Sequence, residues 1–303
     1  MADDLIYIER AWREAGKASN EQVVVFVQTA SLEVTQPTPA EVEQIASILP
    51  AGTEIFISDV PRRSGEDAAS ACASISAAGL IPVPHIAVRR IESTAAFERL
   101  VADCVERGGA RKAMVIAGDY DVPAGPFGDV ASALKERALQ DSGINEVSVA
   151  GYPEGHPRIP ADVLAGSLET KLELLEERGI KQRIVTQFGF DGDASMRFVL
   201  RLRGAGVDCP ILIGVAGPAS AKTLVQFAIR CGVRTAGRFL VRDRQRIDSA
   251  LFGDESEQLL GQLSGFAAED GRGDIAPHFF AFGGGVSTAR WIGALRDGRL
   301  RSV

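Results

Sequence analysis

The chain has 303 residues, enough to bury a full-sized core in one large α/β domain or in two smaller ones. Its 46% hydrophobic and 24% charged residues are an ordinary globular composition, and its longest apolar runs, such as 23–27, are too short to cross a bilayer. The net charge of −7 argues against sequence-independent binding of nucleic acid, which needs an excess of Lys and Arg along one face.

Cellular location is predicted from the start of the chain and from its cysteines. No basic start is followed by an apolar core, so no secretory signal is predicted. The four cysteines lie far apart, without the paired spacing of zinc or redox sites. We therefore expect a cytoplasmic protein with reduced thiols, no metal ion, and neither a membrane nor a nucleic acid as partner.

The predicted elements follow one another in a regular order. An amphipathic pattern over 3–17 predicts a peripheral helix. Residues 23–27 and 29–34 are both strand-like, and Thr38 then begins a helix with Pro39 in its first turn. Further strands are predicted at 54–58, 81–88, 112–116, 146–150, 183–187, 211–215 and 278–282, and further helices at 64–78, 93–107, 128–140, 161–178, 193–203, 220–230, 255–266 and 287–296.

Counted from 29–34, this pattern has eight short apolar strands, nearly all followed by a helix. Eight such units without a Pro/Ser/Gly-rich linker predict a (β/α)₈ TIM barrel, formed as a single domain over residues 1–303, with the amino-terminal helix at its periphery. A doubly wound open sheet is the alternative. Polar residues favour the barrel because they follow the strand ends, at Glu33, Ser58, His85, Gly118, Asp119, 152–156 and Gln187.

Five short motifs occupy these strand ends in order. They are Ser-Leu-Glu-Val-Thr-Gln-Pro at 31–37, Pro-His at 84–85, Gly-Asp at 118–119, Tyr-Pro-Glu-x-His-Pro at 152–157 and Thr-Gln-Phe-x-Phe-Asp at 186–191. Each motif alone is weak, but together they resemble the methylenetetrahydrofolate reductase family, of which this chain would be a divergent member. The resemblance implies a TIM barrel and the reduction of 5,10-methylenetetrahydrofolate to 5-methyltetrahydrofolate, with FAD as cofactor and NAD(P)H as co-substrate.

The resemblance implies that Glu33 is the catalytic general acid. Opening the five-membered ring of the folate requires protonation of the departing nitrogen, and a carboxyl in a partly apolar barrel mouth can stay protonated because desolvation raises its pKa. From the residues alone, Glu33 could equally be a solvated residue at a strand end. If 23–28 were the first strand, Gln28 would occupy this place and no acid would be available.

The resemblance also assigns the other site residues. Asp119 matches a catalytic aspartate near the flavin and the pterin, and Gln187 matches a glutamine that binds the folate. The residues implied around the flavin are Ser58, His85, Gly118, Asp119, Tyr152, His156 and Lys171. Without the resemblance, a turn-forming Gly-Asp, a structural amide and structural histidines remain open alternatives.

Two departures from the family pattern concern cofactor binding. Ala117-Gly118-Asp119 stands where the family has Arg-Gly-Asp, so one cation is missing. Leu174 and Leu175 fall where basic residues reach the flavin diphosphate, with Lys171 as a partial substitute. Because a diphosphate needs positive charge or free backbone donors, we expect FAD to be weakly bound or absent.

Four arginines follow the second and third strands, as Arg62-Arg63 and Arg89-Arg90. We expect them to project at the barrel mouth, where Arg62 and Arg63 could bind the glutamate tail of folate or a nucleotide phosphate. Exposed solubilising charge is the alternative.

The sequence therefore predicts an NAD(P)H-dependent methylenetetrahydrofolate reductase, with folate and a nicotinamide nucleotide as its small-molecule partners. One alternative is a flavin-independent reductase in which NAD(P)H transfers hydride directly. Another is a folate- or nucleotide-binding protein without turnover. Assembly into a homo-oligomer is left open.

Overall fold

The computed structural model describes residues 20–58, 68–231, 250–269 and 271–299. The strands are β1 Ser31–Thr35, β2 Glu54–Ser58, β3 Ile81–Ala87, β4 Lys112–Ile116, β5 Glu146–Gly151, β6 Lys181–Thr186, β7 Ile211–Ala216 and β8 Ile275–Phe280. The helices are α1 Asn20–Phe26, α2 Pro39–Ala46, α3 Ala68–Ala77, α4 Thr94–Glu106, α5 Val130–Leu134, α6 Ala138–Asp141, α7 Ala161–Glu177, α8 Gly192–Gly204, α9 Ala221–Cys231, α10 Ala250–Ala267 and α11 Gly285–Arg296.

The eight strands form a closed barrel in the order β1-β2-β3-β4-β5-β6-β7-β8. Neighbouring strands are parallel where their register is defined, as in the pairing of Glu33 with Phe56 and of Phe56 with Val83. Helices follow the strands, so the predicted (β/α)₈ TIM barrel is confirmed. The alternative of an open sheet is excluded because an open sheet has two edge strands.

The prediction of a strand at 23–27 is wrong. These residues lie in helix α1 and the 3₁₀ turn Val27–Thr29, with Val23 and Phe26 buried on one side. Arg296 of α11 fixes the end of this segment, because its guanidinium donates to the carbonyl oxygens of Val27 and Gln28. A short apolar run does not distinguish a buried strand from a helix, and here helical spacing places the apolar side chains. The first strand is therefore β1.

The starts of α2 and α4 agree with the predicted helix starts at Thr38 and Ser93. Thr38 caps α2 in a capping box with Glu41, and Ser93 caps α4 through its hydroxyl. The single helix predicted at 128–140 is instead two short helices, α5 and α6. The peripheral helix predicted at 3–17 lies outside the described residues.

The contacts divide the chain into two compact units. Unit 1 comprises Met1–Ser31, Tyr152–Ala161 and Thr186–Val303, and unit 2 comprises Leu32–Gly151 and Asp162–Val185. That residues 1–303 form one domain stays a prediction. Among the described helices, none combines the length and the apolar character needed to cross a membrane.

Unit 2 contains a layer of charged side chains at the amino-terminal ends of its strands. Arg183 lies 2.6 Å from Glu54 and 3.0 Å from Glu146, and Lys112 lies 2.6 Å and 3.2 Å from the same two carboxylates. Arg183 also donates to the hydroxyl of Ser148. Burial raises the pKa of Glu54, but the charges and hydrogen bonds of Arg183 and Lys112 outweigh burial and hold that pKa below its ordinary value. We call these four charged residues the ionic layer.

Candidate functional site

Glu33 and His85 meet in unit 2. Glu33 is the third residue of β1 and His85 the fifth of β3, and His85 Nε2 lies 3.4 Å from Glu33 Oε2. Both side chains are largely withdrawn from solvent, with 15% of Glu33 and 8% of His85 exposed. Burial raises the pKa of Glu33, and the charge of His85 offsets only part of this effect. Glu33 can therefore hold its proton at a pH where an exposed carboxyl has lost it.

Phe56 contacts both Arg183 of the ionic layer and His85. Its side chain is fully buried, its ring lies under the guanidinium of Arg183 at 5.3 Å, and it meets the His85 ring edge-on at 6.1 Å. On β2, Phe56 stands between Glu54 of the ionic layer and Ser58 at the strand end. Glu33 therefore lies beside an apolar ring and a histidine, while the cations of the ionic layer face other carboxylates.

The raised pKa of Glu33 leads to a prediction about stability. A folded state that binds a proton more tightly than the unfolded state loses stability as pH rises from the unfolded pKa, near 4.5, through the folded pKa. Glu33→Gln removes this loss, so we expect the variant to be more stable than the wild type at neutral pH. Urea unfolding across pH 4–8 measures the difference, which should shrink towards acid pH. A difference that is constant with pH would contradict the shift.

Ser58 and Thr35 end adjacent strands in unit 2. Their hydroxyl oxygens lie 2.9 Å apart, and Ser58 also donates to the carbonyl oxygen of Val34. The predicted flavin contact of Ser58 is untested, but its hydroxyl already takes part in binding β1 to β2.

Asp119 follows β4 and is bound by Arg90. Arg90 Nη2 lies 2.5 Å from Asp119 Oδ1, and the guanidinium also lies over the ring of Tyr120 at 5.6 Å. Gly118 has a φ of 89° and would bring a Cβ to 3.2 Å from Ala87, so a side chain is disfavoured there on both grounds. A cation therefore accompanies Asp119, although Ala117 supplies none.

Arg89 and Arg90 follow β3, and both are bound by the loop after β4. Arg90 pairs with Asp119, and Arg89 donates to the backbone carbonyl oxygen of Asp121 at 2.7 Å. The Asp119 carboxylate therefore offsets the charge of Arg90, whereas Arg89 gains a hydrogen bond and keeps its charge. Arg62 and Arg63 lie outside the described residues.

In unit 1, Tyr152 and His156 pack together in the loop after β5. Their rings meet edge-on at 5.5 Å, and His156 Nδ1 accepts a hydrogen bond from the backbone N–H of Arg158. Burial lowers the pKa of His156, and the charge of Arg158 lowers it further. His156 therefore stabilises a tight turn by accepting a hydrogen bond with its neutral imidazole. The predicted flavin contact stays a prediction.

Gln187 directly follows β6 in unit 1 and is half-buried. The backbone just beyond it is bound by Glu154, whose Oε1 accepts from Phe190 N at 3.2 Å and from Asp191 N at 3.4 Å. Asp191 in turn caps α8 through Ala194 N. Gln187 therefore stands at the start of a loop whose backbone is fixed by side chains.

Helix α7 does not fit a flavin diphosphate. Lys171 is 7% exposed, and burial lowers its pKa while the charge of Asp129 partly restores it. The solvent-facing charged side chains of α7 beyond its first turn are acidic, at Glu169, Glu173, Glu176 and Glu177. A diphosphate placed along this face would meet like charge. The charges of α7 therefore do not favour binding of a flavin diphosphate on this helix.

Gly283, in the loop after β8, allows close packing within unit 1. A Cβ on Gly283 would overlap the carbonyl oxygen of Pro218, so this loop lies directly on the backbone after β7. The close approach places the Phe282 ring in a stack with Phe227, with ring centroids 4.4 Å apart.

Two residues of these groups were not assigned from the sequence. The sequence predicts Arg90 only as one of four arginines at the barrel mouth, and Glu154 only as part of its motif. Both contact residues far along the chain, Asp119 and Phe190. The signal for Arg90 is its place in an arginine pair after β3, and the signal for Glu154 is its place between two prolines.

Comparison with known proteins places these observations in one family. The family model described as "Methylenetetrahydrofolate reductase" matches residues 80–246, more than half of the chain. A relative named 5,10-methylenetetrahydrofolate reductase in Escherichia coli strain K12 is 32% identical over 163 residues, covering 52% of this chain and 50% of the relative. One named Methylenetetrahydrofolate reductase (NADH) 1 in Arabidopsis thaliana is 37% identical over 90 residues, covering 28% of this chain and 15% of the relative.

A solved structure supports the fold. An uncharacterised protein from Clostridium thermocellum, described as binding two copies of 5-methyl-5,6,7,8-tetrahydrofolic acid, aligns with a TM-score of 0.58 and 14% identity. The alignment covers 91% of this chain and 99% of that one. The chain spans about half the length of the bacterial relatives it matches. Because the family model covers more than half of the residues, this chain belongs to the methylenetetrahydrofolate reductase family.

Proposed function

We propose that this chain reduces 5,10-methylenetetrahydrofolate to 5-methyltetrahydrofolate with NAD(P)H as the hydride source. The observation that carries the proposal is Glu33, a withdrawn carboxyl with a raised pKa, 3.4 Å from His85. A binding protein has no need of an acid in this state. The ring-opening step does need one, because the departing nitrogen must take up a proton before the methylene carbon can accept hydride.

Glu33 donates that proton. Its burial keeps the acid form available, and the adjacent imidazole of His85 can stabilise the carboxylate left after transfer, since an opposite charge nearby lowers the cost of ionisation. Glu33 then regains a proton from solvent. Over one turnover the folate takes up a hydride from NAD(P)H and a proton that solvent replaces, and NAD(P)H becomes NAD(P)⁺.

Asp119 and Gln187 are proposed to bind the folate. A carboxylate accepts from the amino group and ring N–H of a pterin, and a carboxamide offers both a donor and an acceptor. Arg90 reduces the net charge at Asp119 and holds one of its carboxylate oxygens.

The acidic outer face of α7 and the burial of Lys171 favour a second candidate, in which hydride passes directly from NAD(P)H to the folate without a flavin.

Oxidation of NADH and NADPH in the presence of methylenetetrahydrofolate, with and without added FAD, tests the proposal. Production of 5-methyltetrahydrofolate is the supporting result. Activity that survives exhaustive dialysis in a protein without flavin absorbance supports direct transfer, whereas activity that depends on added FAD supports a flavin relay. Folate binding without NAD(P)H oxidation under every condition would contradict the proposal and support a binding protein.

A further inference from the structure

Glu154 holds the loop that follows Gln187. Its Oε1 accepts from two successive backbone N–H groups, those of Phe190 and Asp191, at 3.2 and 3.4 Å. These two hydrogen bonds join the loop after β5 to the loop after β6. Both partners of each bond lie in unit 1, although Glu154 follows β5 and the loop follows β6.

Gly189 makes room for the carboxylate. A Cβ at Gly189 would lie 2.5 Å from Glu154 Oε1, closer than any real contact of that kind. Gly189 is not among the glycines with positive φ, so its backbone does not require glycine. A side chain at position 189 would therefore displace the Glu154 carboxylate.

The start of the same loop is fixed from its other side by β7. A Cβ on Gly214 would lie 2.7 Å from the Gln187 carbonyl carbon and from the Phe188 nitrogen, so the two backbones are in direct contact. Thr186 Oγ1 accepts from Gly214 N at 2.8 Å, and the side chain of Phe188 is buried. Glu154 and β7 together leave little freedom in the backbone that carries the Gln187 side chain.

We propose that Glu154 is the positioning residue for Gln187 and thereby sets the affinity for the pterin. That Gln187 binds the pterin rests on the proposed function, whereas the hydrogen bonds from the loop backbone to Glu154 do not depend on it. Glu154 acts through the backbone of residues 189–191 rather than by touching substrate, because its carboxylate is bound to that backbone. The loop thus holds the backbone from which the carboxamide extends.

Four variants test this assignment: Glu154→Ala, Glu154→Gln, Gly189→Ala and Gln187→Ala. Glu154→Ala should speed amide hydrogen exchange at Phe190 and Asp191 about 10-fold or more and raise the KM for methylenetetrahydrofolate about 10-fold, with a smaller change in kcat. Glu154→Gln should stay within about threefold of the wild type in both, because the carboxamide oxygen still accepts. Gly189→Ala should resemble Glu154→Ala.

A double variant separates positioning from general damage. In the Gln187→Ala background, Glu154→Ala should raise KM by less than about twofold, because the side chain that it positions is absent. Full additivity of the two effects, or unchanged amide exchange in Glu154→Ala, would overturn the proposal. If the wild type binds no folate, the proposed function fails, and the exchange data alone decide whether Glu154 holds the loop. Matching melting temperatures, measured by circular dichroism, confirm that each variant is folded.

Discussion

Glu33→Gln is expected to lower kcat for methylenetetrahydrofolate reduction by about 10²–10⁴-fold, the range that general acid catalysis contributes. The amide keeps the size of the side chain and its acceptor oxygen but cannot give up a proton. Folate binding should change far less, since the role proposed for Glu33 is proton transfer to the departing nitrogen during reaction. Steady-state kinetics and a separate folate-binding titration measure the two effects.

The pH dependence of the same reaction gives a second readout. Because burial raises the pKa of Glu33, the wild-type rate should fall as pH rises through that pKa, and the residual rate of Glu33→Gln should lack this limb. Glu43→Gln is the matched control, because Glu43 is an exposed carboxylate on α2. A Glu33→Gln rate within threefold of wild type would assign the acid to another group.

Arg183→Ala is expected to destabilise the protein by about 3–5 kcal/mol, the cost of breaking a buried ion pair by removing one partner. Arg183 is 5% exposed and contacts both Glu54 and Glu146, so its loss leaves two carboxylates in the barrel interior with only Lys112 opposite them. Denaturant unfolding followed by circular dichroism gives the free energy of unfolding.

Arg137→Ala is the control for this comparison. Arg137 pairs with Asp141 on α6, and both side chains are more than half exposed, so the loss should be within about 0.5 kcal/mol. Equal losses for the two variants would show that the ionic layer contributes no more than a surface pair.

The architecture was predictable from the sequence because eight apolar runs alternate with amphipathic ones, and this alternation closes a parallel barrel. The structure of residues 23–27 could not be predicted, because a short run of valines is compatible with a strand and with a helix. The choice depends on α11, where Arg296 binds the carbonyl oxygens at the end of this segment, and that partner is more than 260 residues away in sequence.

In the candidate site, the positions of the residues could be predicted from the sequence, but their partners could not. Glu33 and Gln187 lie near the ends of predicted strands and Asp119 follows one, so their places near strand ends could be predicted. The partners of these residues could not, because Arg90 reaches Asp119 across 29 residues and Glu154 reaches Phe190 across 36. Such contacts depend on how two loops fold over adjacent strands, and local sequence patterns do not contain that information.

The buried ring of Phe56 contacts the guanidinium of Arg183 on one side and the ring of His85 on the other. One apolar side chain therefore packs against both the ionic layer and the Glu33–His85 pair. Because charge effects are strong in an apolar interior, a substitution at Phe56 changes the surroundings of both groups together.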